Sequence, residues 1–547
     1  MDKGVRLVFL PGSPCTLKAL CPKSQFLTLQ SRLAAQGISC DLVDFGVLEE
    51  PSRYSKTSIS STIGFHSGWA RQHKSGWGGI PVLHKIMGSR DHGMPEMNTD
   101  QWMAQLEADA PSVFVFWIDD RAMYRRFAAY GGRLHETFPE AKILLAGSHA
   151  RHFAAYALHD YAFVRGVIVG DLFQSLLKFL ALADDVPQDP HSIQGMILRA
   201  AVEGSVPSKR SEKAPAPGYF SKNRLQSRVS GIQFPLFYLG FSHQPQRFIY
   251  QEGKVSLSYC KSAELLLEEI IFLQKHHKAH AFHIDASHVS ESHLAKFADL
   301  LLNRDLSIIY ALGNVSEAME KSLADRLFAS GCRSIGFCIP TGSQRILEDF
   351  YGCSFSISAM CAGLQRCRKA GIFTVVHVCY PCPVDDYHTR AETERFLELA
   401  QPKSVCMDMP ALVPGSKWFR RPSEFGFLIN HQEYIFNGSA SPVEVASLPY
   451  TMRGWNVKRI IQARDAMAES LMKLDYFIDV TEEQGLLARL LRHQFDESDF
   501  LQSLTRSLTD FDVDHLSGLA AYLADSLQRL DCDDLEDMLP GKAVSFS

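Results

Sequence analysis

Short apolar runs alternate with longer amphipathic stretches along the N-terminal third of the chain. "VRLVFL" (5–10), "ISCDLVDF" (38–45), "SVFVFWID" (112–119), "AKILLAGSH" (141–149) and "FVRGVIVGD" (163–171) are β-rich and bounded by turn residues. Between them lie helix-like segments such as "KSQFLTLQSRLAAQG", closed by Gly37, and "LFQSLLKFLALA". A Gly, Ser and Trp-rich stretch (64–93) interrupts the series. Strands separated by helices predict right-handed βαβ units and a parallel, doubly wound sheet. Ligands of such sheets bind beyond the carboxyl ends of the strands, which points to residues 11–15, 118–120, 147–149 and 170–171.

Residues 185–232 are rich in Pro, Ser and Lys and lack periodicity, as a connecting segment does. A second series follows, with strands "FPLFYLGF", "AHAFHIDAS" (279–287), "SIIYALG" (307–313), "SIGFCIP" (334–340), "FTVVHVCYP" (373–381) and "SVCMDMPALV" (404–413). Amphipathic helices such as "SAELLLEEIIFLQKH" separate them. Six βα steps fall short of the eight of a closed barrel, so a partial (βα)6 TIM-like barrel is expected. From about residue 450 the pattern predicts helices, and "DCDDLEDM" predicts a solvated acidic tail. The fold class is therefore α/β: a Rossmann-like segment (1–184), a connecting segment (185–232), a partial barrel (233–425) and a C-terminal helical region (426–547).

At 46% apolar and 21% charged residues, the 547-residue chain has the profile of a soluble globular protein. A formal net charge of −5 gives no electrostatic case for nucleic acid or an anionic membrane. No apolar run reaches the ~18 residues of a span. "MDKGVRLVFLPGSP" enters a strand without a signal-peptide pattern, so a cytoplasmic location is expected. The thirteen cysteines lack the dense spacing of a disulfide scaffold. Most read as small buried apolar residues. "CYPC" (379–382) contains the sole Cys-x-x-Cys, with no second pair at zinc-site spacing, so no metal site is expected.

Several phrases carry a family resemblance. "IQGMILRAAVEG" followed by "APAPGYF", then "YCKSAELLLEEIIFL", "FHIDASHVSESHLAKFADLLL", "LFASGCRSIGFCIPTGSQRILEDFYG", "LQRCRKAGIFTVVHVCYPCPVDDYHTRAETERF" and "ALVPGSKWF" occur in order over most of residues 190–420. Together they resemble the cobalamin-binding radical S-adenosylmethionine (SAM) family. The resemblance implies a cobalamin-binding-type first domain and a radical-SAM-like barrel. It implies a corrinoid near Ser13, Gly147, Ser148, Gly170 and Asp171, where "AGSH" and "VGDLFQSLL" stand in place of the family's glycine turns. "SRDHGMP" lacks the spacing of a cobalt-ligand motif, so His92 is expected to be an ordinary loop residue.

The chemistry departs from the family. Its Cys-x3-Cys-x2-Cys motif, whose three thiolates hold a 4Fe–4S cluster, should fall within "GFSHQPQRF". No cysteine is there, and the motif occurs nowhere in the chain. Ser242, His243 and Gln244 are poor substitutes for soft thiolates. Pro340 and Thr341 replace the family's SAM-holding Glu-Ser, so Thr341, Gly342 and Ser343 mark a vestigial SAM region and SAM binding is in doubt. Cys353, Cys361 and Cys367 do not share one helix face. The 4Fe–4S cluster is expected to be absent.

His283, Asp285, His377, Asp385 and Asp408 at strand ends are the remaining catalytic candidates. Any one of them has an ordinary role as a hydrogen-bonded rim residue. Several on one rim point to a site. The expected function is that of a radical-SAM-like protein without its cluster, a pseudoenzyme or non-radical accessory. It would be a cobalamin- or substrate-binding subunit of a biosynthetic system, acting with a partner protein or enzyme on a small molecule or peptide. The alternative is a cobalamin-dependent methyltransferase-type enzyme with unconventional ligands, since cobalt passes methyl groups by polar chemistry. A third is a regulator that senses a corrinoid. Neither nucleic acid nor membrane is an expected partner.

Overall fold

The structure is a computed structural model that describes residues 4–10, 17–21, 24–44, 112–119, 121–182, 193–199, 234–241, 260–304, 306–316, 318–353, 355–412, 416–429, 434, 450–491, 496–510 and 512–529. The first part is built on β1 (Val5–Phe9), α1 (Ser24–Ala34), β2 (Cys40–Asp44), β3 (Val113–Trp117), α2 (Arg121–Thr137) and β4 (Lys142–Ala146). The short helices α3 (Ser148–His152) and α4 (Ala154–Asp160), β5 (Val164–Ile168), α5 (Leu172–Ala181) and β6 (Met196–Leu198) complete it. The sheet order is β2-β1-β3-β4-β5-β6. β1 lies between β2 and β3 and pairs parallel with both, so the strand order reverses there, where open α/β sheets bind ligands. Every residue of β1 is buried, which a parallel strand covered on both faces requires. Residues 196–198, expected in the connecting segment, instead form an antiparallel edge strand on β5. The run is three residues long, too short for a period-2 signal to show in the sequence.

The second part starts with β7 (Leu236–Gly240), α6 (Ala263–His277), β8 (Ala281–Asp285), α7 (Glu291–Arg304), β9 (Ile309–Val315), α8 (Lys321–Ala329) and β10 (Cys332–Cys338). It continues through α9 (Gln344–Asp349), α10 (Ile357–Lys369), β11 (Phe373–Cys379), α11 (Tyr387–Ala400) and β12 (Ser404–Asp408). Next come α12 (Lys417–Arg420), β13 (Phe427–Leu428), β14 (Thr451–Met452), α13 (Val457–Met472), β15 (Phe477–Ile478), α14 (Glu482–Leu490), α15 (Glu497–Asp510) and α16 (Val513–Arg529). Strands β7 to β12 are parallel neighbours in sequence order, and β15 adds to β12 at the edge. β13 and β14 form a separate antiparallel pair. The region expected to be helical thus supplies a seventh strand, because Ser404 and Val405 leave an edge that Phe477 and Ile478 pair with.

Alternation along these strands sorts two faces. Phe282, Ile284, Tyr310, Leu312, Phe337, Val376 and Val378 face one way and pack against α6, α7, α8 and α10 through residues such as Leu266, Phe297, Leu323 and Leu364. Ala281, Ile309, Ala311, Phe373, Val375 and Cys406 face the other way and pack against Leu486, Leu487, Leu490 and Leu491 of the α14 segment. Each fully buried leucine contributes about 2 kcal/mol. Leu501, Leu504 and Leu508 of α15 continue that layer at helical spacing, as do Leu516, Ala520, Leu523 and Leu527 of α16. The first part touches the β7 edge: Leu17 and Cys21 pack with Phe234 and Leu236, and Ser24 Oγ donates to the Tyr238 carbonyl.

α14 lies so close to the sheet that a Cβ on Gly485 would stand 2.3 Å from the Phe373 ring. A Cβ on Gly518 in α16 would meet nothing within 4 Å. Gly485→Ala is therefore expected to destabilise by about 1–3 kcal/mol through overpacking, while Gly518→Ala gains up to about 1 kcal/mol of helix propensity. Thermal unfolding followed by circular dichroism gives the two signs. A gain for both would contradict this packing.

Candidate functional site

The alternation that buries the apolar residues against α14 also aims the polar ones at its first turn. His283 follows Ala281 on the inward face of β8, His377 follows Val375 on β11, and Asp408 follows Cys406 on β12. α14 points its N-terminus at them, with Glu482 and Glu483 as its first two residues. The Thr481 N–H donates to Gln484 Oε1 at 2.8 Å, which fixes the start of the helix. Carboxylates suit this end of a helix, where unpaired N–H groups carry partial positive charge.

Glu482 is fully buried and its two oxygens part between two histidines. His283 Nε2 lies 3.2 Å from Oε1, and His377 Nε2 lies 2.9 Å from Oε2. Glu483 Oε1 stands 3.6 Å from the same His283 nitrogen. Behind His377, Nδ1 is 3.4 Å from Asp408 Oδ2, an ion-pair separation rather than a good hydrogen bond. Burial pushes the His283 pKa down, but Glu483, Glu482 and Asp285 outweigh it and hold the imidazole above its usual value. Room for the carboxylate comes from two strand glycines. A Cβ on Gly336 would stand 2.7 Å from the Glu482 carboxyl, and one on Gly313 would stand 2.6 Å from His283 Nε2.

The sequence candidates divide on this frame. His283, His377 and Asp408 converge through Glu482. Asp285 sits at the same end of β8 but is held by the Ser287 N–H at 3.1 Å and by Asn314 Nδ2. Asn314 Oδ1 in turn accepts from Cys338 Sγ at 3.5 Å. Thr341 and Gly342 are tied into α11, with Thr341 Oγ1 3.3 Å from Thr393 Oγ1 and the Gly342 N–H donating to that oxygen at 3.0 Å, while the Ser343 N–H donates to Thr341 Oγ1 at 3.1 Å. Asp385 accepts from the Cys382 N–H at 2.6 Å and Thr389 Oγ1 at 3.3 Å. Cys379 and Cys382 are buried with their sulfurs 3.7 Å apart, and Tyr351 Oη is 2.8 Å from Cys382.

In the first sheet, Gly147 has φ +100, and a Cβ there would fall 2.4 Å from the Ile118 carbonyl oxygen. The Ser148 N–H and hydroxyl both bond Asp119 Oδ1, at 2.9 and 3.1 Å. Burial would raise the Asp119 carboxyl, but Lys18, Ser148 and Trp117 hold it below the usual range. Asp171 caps α5 by accepting from the Gln174 N–H at 2.6 Å, and Gly170 packs beneath Gly195. These four residues shape the carboxyl ends of the strands. Ser13, His92, Ser242, His243 and Gln244 lie outside the described residues.

Glu482, Glu483 and Asn314 did not emerge from the sequence. Glutamates are common in the first turn of a helix, so the pair carries no signal of its own. The usable signal was the glycine within each of β9 and β10, which marks a close approach to the strand.

No protein-family model matches the sequence, and no curated protein matches it. Among solved structures, the chain is similar to the radical S-adenosylmethionine methyltransferase TsrM from Kitasatospora setae, with cobalamin and a 4Fe–4S cluster bound. The TM-score is 0.57 at 12% identity, covering 94% of this chain and 100% of that one. It is also similar to the cobalamin-dependent S-adenosylmethionine radical enzyme OxsB with aqua-cobalamin bound, with TM-score 0.51 and 12% identity over 98% of this chain and 83% of that one. The likeness is one of fold: an α/β chain with two mainly parallel sheets that resembles these cobalamin-dependent radical SAM enzymes. Among the described residues, no helix is long and apolar enough to cross a membrane.

Burial pushes Asp385 up to about 7, against the lowering effect of the Cys382 and Thr389 hydrogen bonds. The folded state thus favours the protonated acid. Its contribution to stability is complete below the unfolded value near 4 and is lost as pH rises to about 7. Relative to Asp385→Asn, the wild type is expected to lose up to about 4 kcal/mol across that interval and then stay level. Thermal midpoints of both proteins from pH 4 to 9 measure the difference, and parallel curves would count against it.

Proposed function

We propose that this chain is a radical-SAM-fold protein that works without a radical-generating cluster, as a cobalamin- or substrate-binding subunit of a biosynthetic enzyme system. On this reading the seven-stranded sheet is the open barrel of that fold and the first sheet is its cobalamin-binding-type domain. The observation that carries the proposal is the donor set. The sequence has no Cys-x3-Cys-x2-Cys, and among the described residues no three cysteines converge; the grouping of three metal-competent side chains there is His283, Glu482 and Glu483. Nitrogen and oxygen donors do not fit a cluster that needs thiolates.

The corrinoid fit is partial. Gly147 and Gly170 keep the strand ends free of side chains, but Ser148 and Asp171 are engaged with Asp119 and α5, so backbone rather than these side chains would meet a ligand. The region that would hold SAM is bonded to Thr393. The second reading, a cobalamin-dependent methyltransferase-type enzyme, draws on the likeness to TsrM and on the Glu482 network, in which imidazole and carboxylate can hold and pass a proton.

Anaerobic reconstitution with iron, sulfide and hydroxocobalamin, followed by desalting and counts of iron, labile sulfide and cobalt, tests this. About one cobalt per chain with no labile sulfide is expected. About four iron with matching sulfide, the content of a 4Fe–4S cluster, would overturn the proposal. Methyl transfer from SAM by the isolated chain would favour the enzyme over the subunit.

A further inference from the structure

We propose that His283, Glu482 and Glu483 form a binding site for a divalent transition-metal ion on the inner face of the second sheet. One atom from each, His283 Nε2 and a carboxylate oxygen from each glutamate, lies within 4.8 Å of the others. The separations from Nε2 are 3.2 and 3.6 Å. Adjacent ligands of an ion with bonds near 2.1 Å stand about 3.0–3.4 Å apart, close to the two separations from the imidazole nitrogen. Exposure is small: 8% for the His283 side chain, none for Glu482 and 12% for Glu483.

Three further observations favour a cation over a simple ion pair. Glu483 Oε2 is buried without a hydrogen-bond partner. Four carboxylates, Glu482, Glu483, Asp285 and Asp408, surround the two imidazoles of His283 and His377 and leave net negative charge even with both rings protonated, an excess that a dication removes. The remaining Glu482 oxygen accepts from His377 Nε2 at 2.9 Å, and Asp408 stands behind that ring, the kind of outer support that orients metal ligands. One imidazole and two carboxylates suit Mn(II), Fe(II), Co(II) or Zn(II), and they leave positions open for water or a substrate oxygen. Gly313 and Gly336 keep that space clear on the two neighbouring strands.

The test uses the full chain stripped with a chelator and titrated anaerobically with Co(II), then with Mn(II). Wild type is expected to bind one Co(II) per chain with weak visible bands, and Glu483→Gln is expected to weaken binding about tenfold or more. Pulsed electron paramagnetic resonance of the Mn(II)-loaded wild type supplies a readout that needs no variant, with one imidazole nitrogen coupled to the metal. Cobalt that does not bind, or that binds wild type and Glu483→Gln equally, would overturn the proposal, as would Mn(II) with no nitrogen coupling. Neither cobalamin nor sulfide enters this titration, so it fails or succeeds independently of the cluster and corrinoid counts.

Discussion

A fully buried carboxylate, Glu482, is the constraint around which the second sheet is arranged. Removing such a charge from water costs several kcal/mol, and it is tolerated only with close, well-oriented partners. Two histidines supply them from β8 and β11, strands that are not neighbours, while β9 and β10 between them carry glycine at the level of the carboxyl group. At an effective dielectric near 20, an imidazolium 3.2 Å from a carboxylate attracts it by roughly 5 kcal/mol. That is comparable with the desolvation cost, so the network fixes where α14 docks more than it adds net stability.

The docking of α14 has consequences on both sides. Its leucines complete the apolar layer beneath the sheet, and the same layer extends through α15 and α16. Its first turn stops at the polar level of the strands. Further along the strands lie Asp285, Asn314, Cys338 and Cys379, and the two cysteines belong to a cluster with Trp418, Phe427, Tyr434 and Tyr450. The second sheet thus places hard nitrogen and oxygen donors on its inner face.

Legibility followed range. The eleven strands expected from apolar runs all recur in the two large sheets, because each run is buried on at least one face and carries its own signal. The short strands at 196–198, 427–428, 451–452 and 477–478 were not legible. They are too brief for periodicity and exist because an edge or a partner is available. His283, His377 and Asp408 were legible as strand-end polar residues, since parallel strands collect such residues on one rim. Their common partner was not, because Glu482 lies 199 residues from His283 in sequence.

The sequence by itself determined the alternating α/β pattern, the two series of strands, the resemblance to an enzyme family and the absence of that family's cysteine motif. These properties are local, carried by runs of residues whose periodicity or spacing can be read in place. Tertiary structure alone decided that Gly147 packs on Ile118 and that Ser148 is engaged by Asp119. It also decided that Thr341 and Gly342 are tied to Thr393 of α11 and that a pair of glutamates from the far end of the chain completes the cluster. Those outcomes depend on which surfaces meet when the sheet and its helices pack, with partners 29 residues apart in the case of Asp119 and Ser148 and 51 apart in that of Gly342 and Thr393.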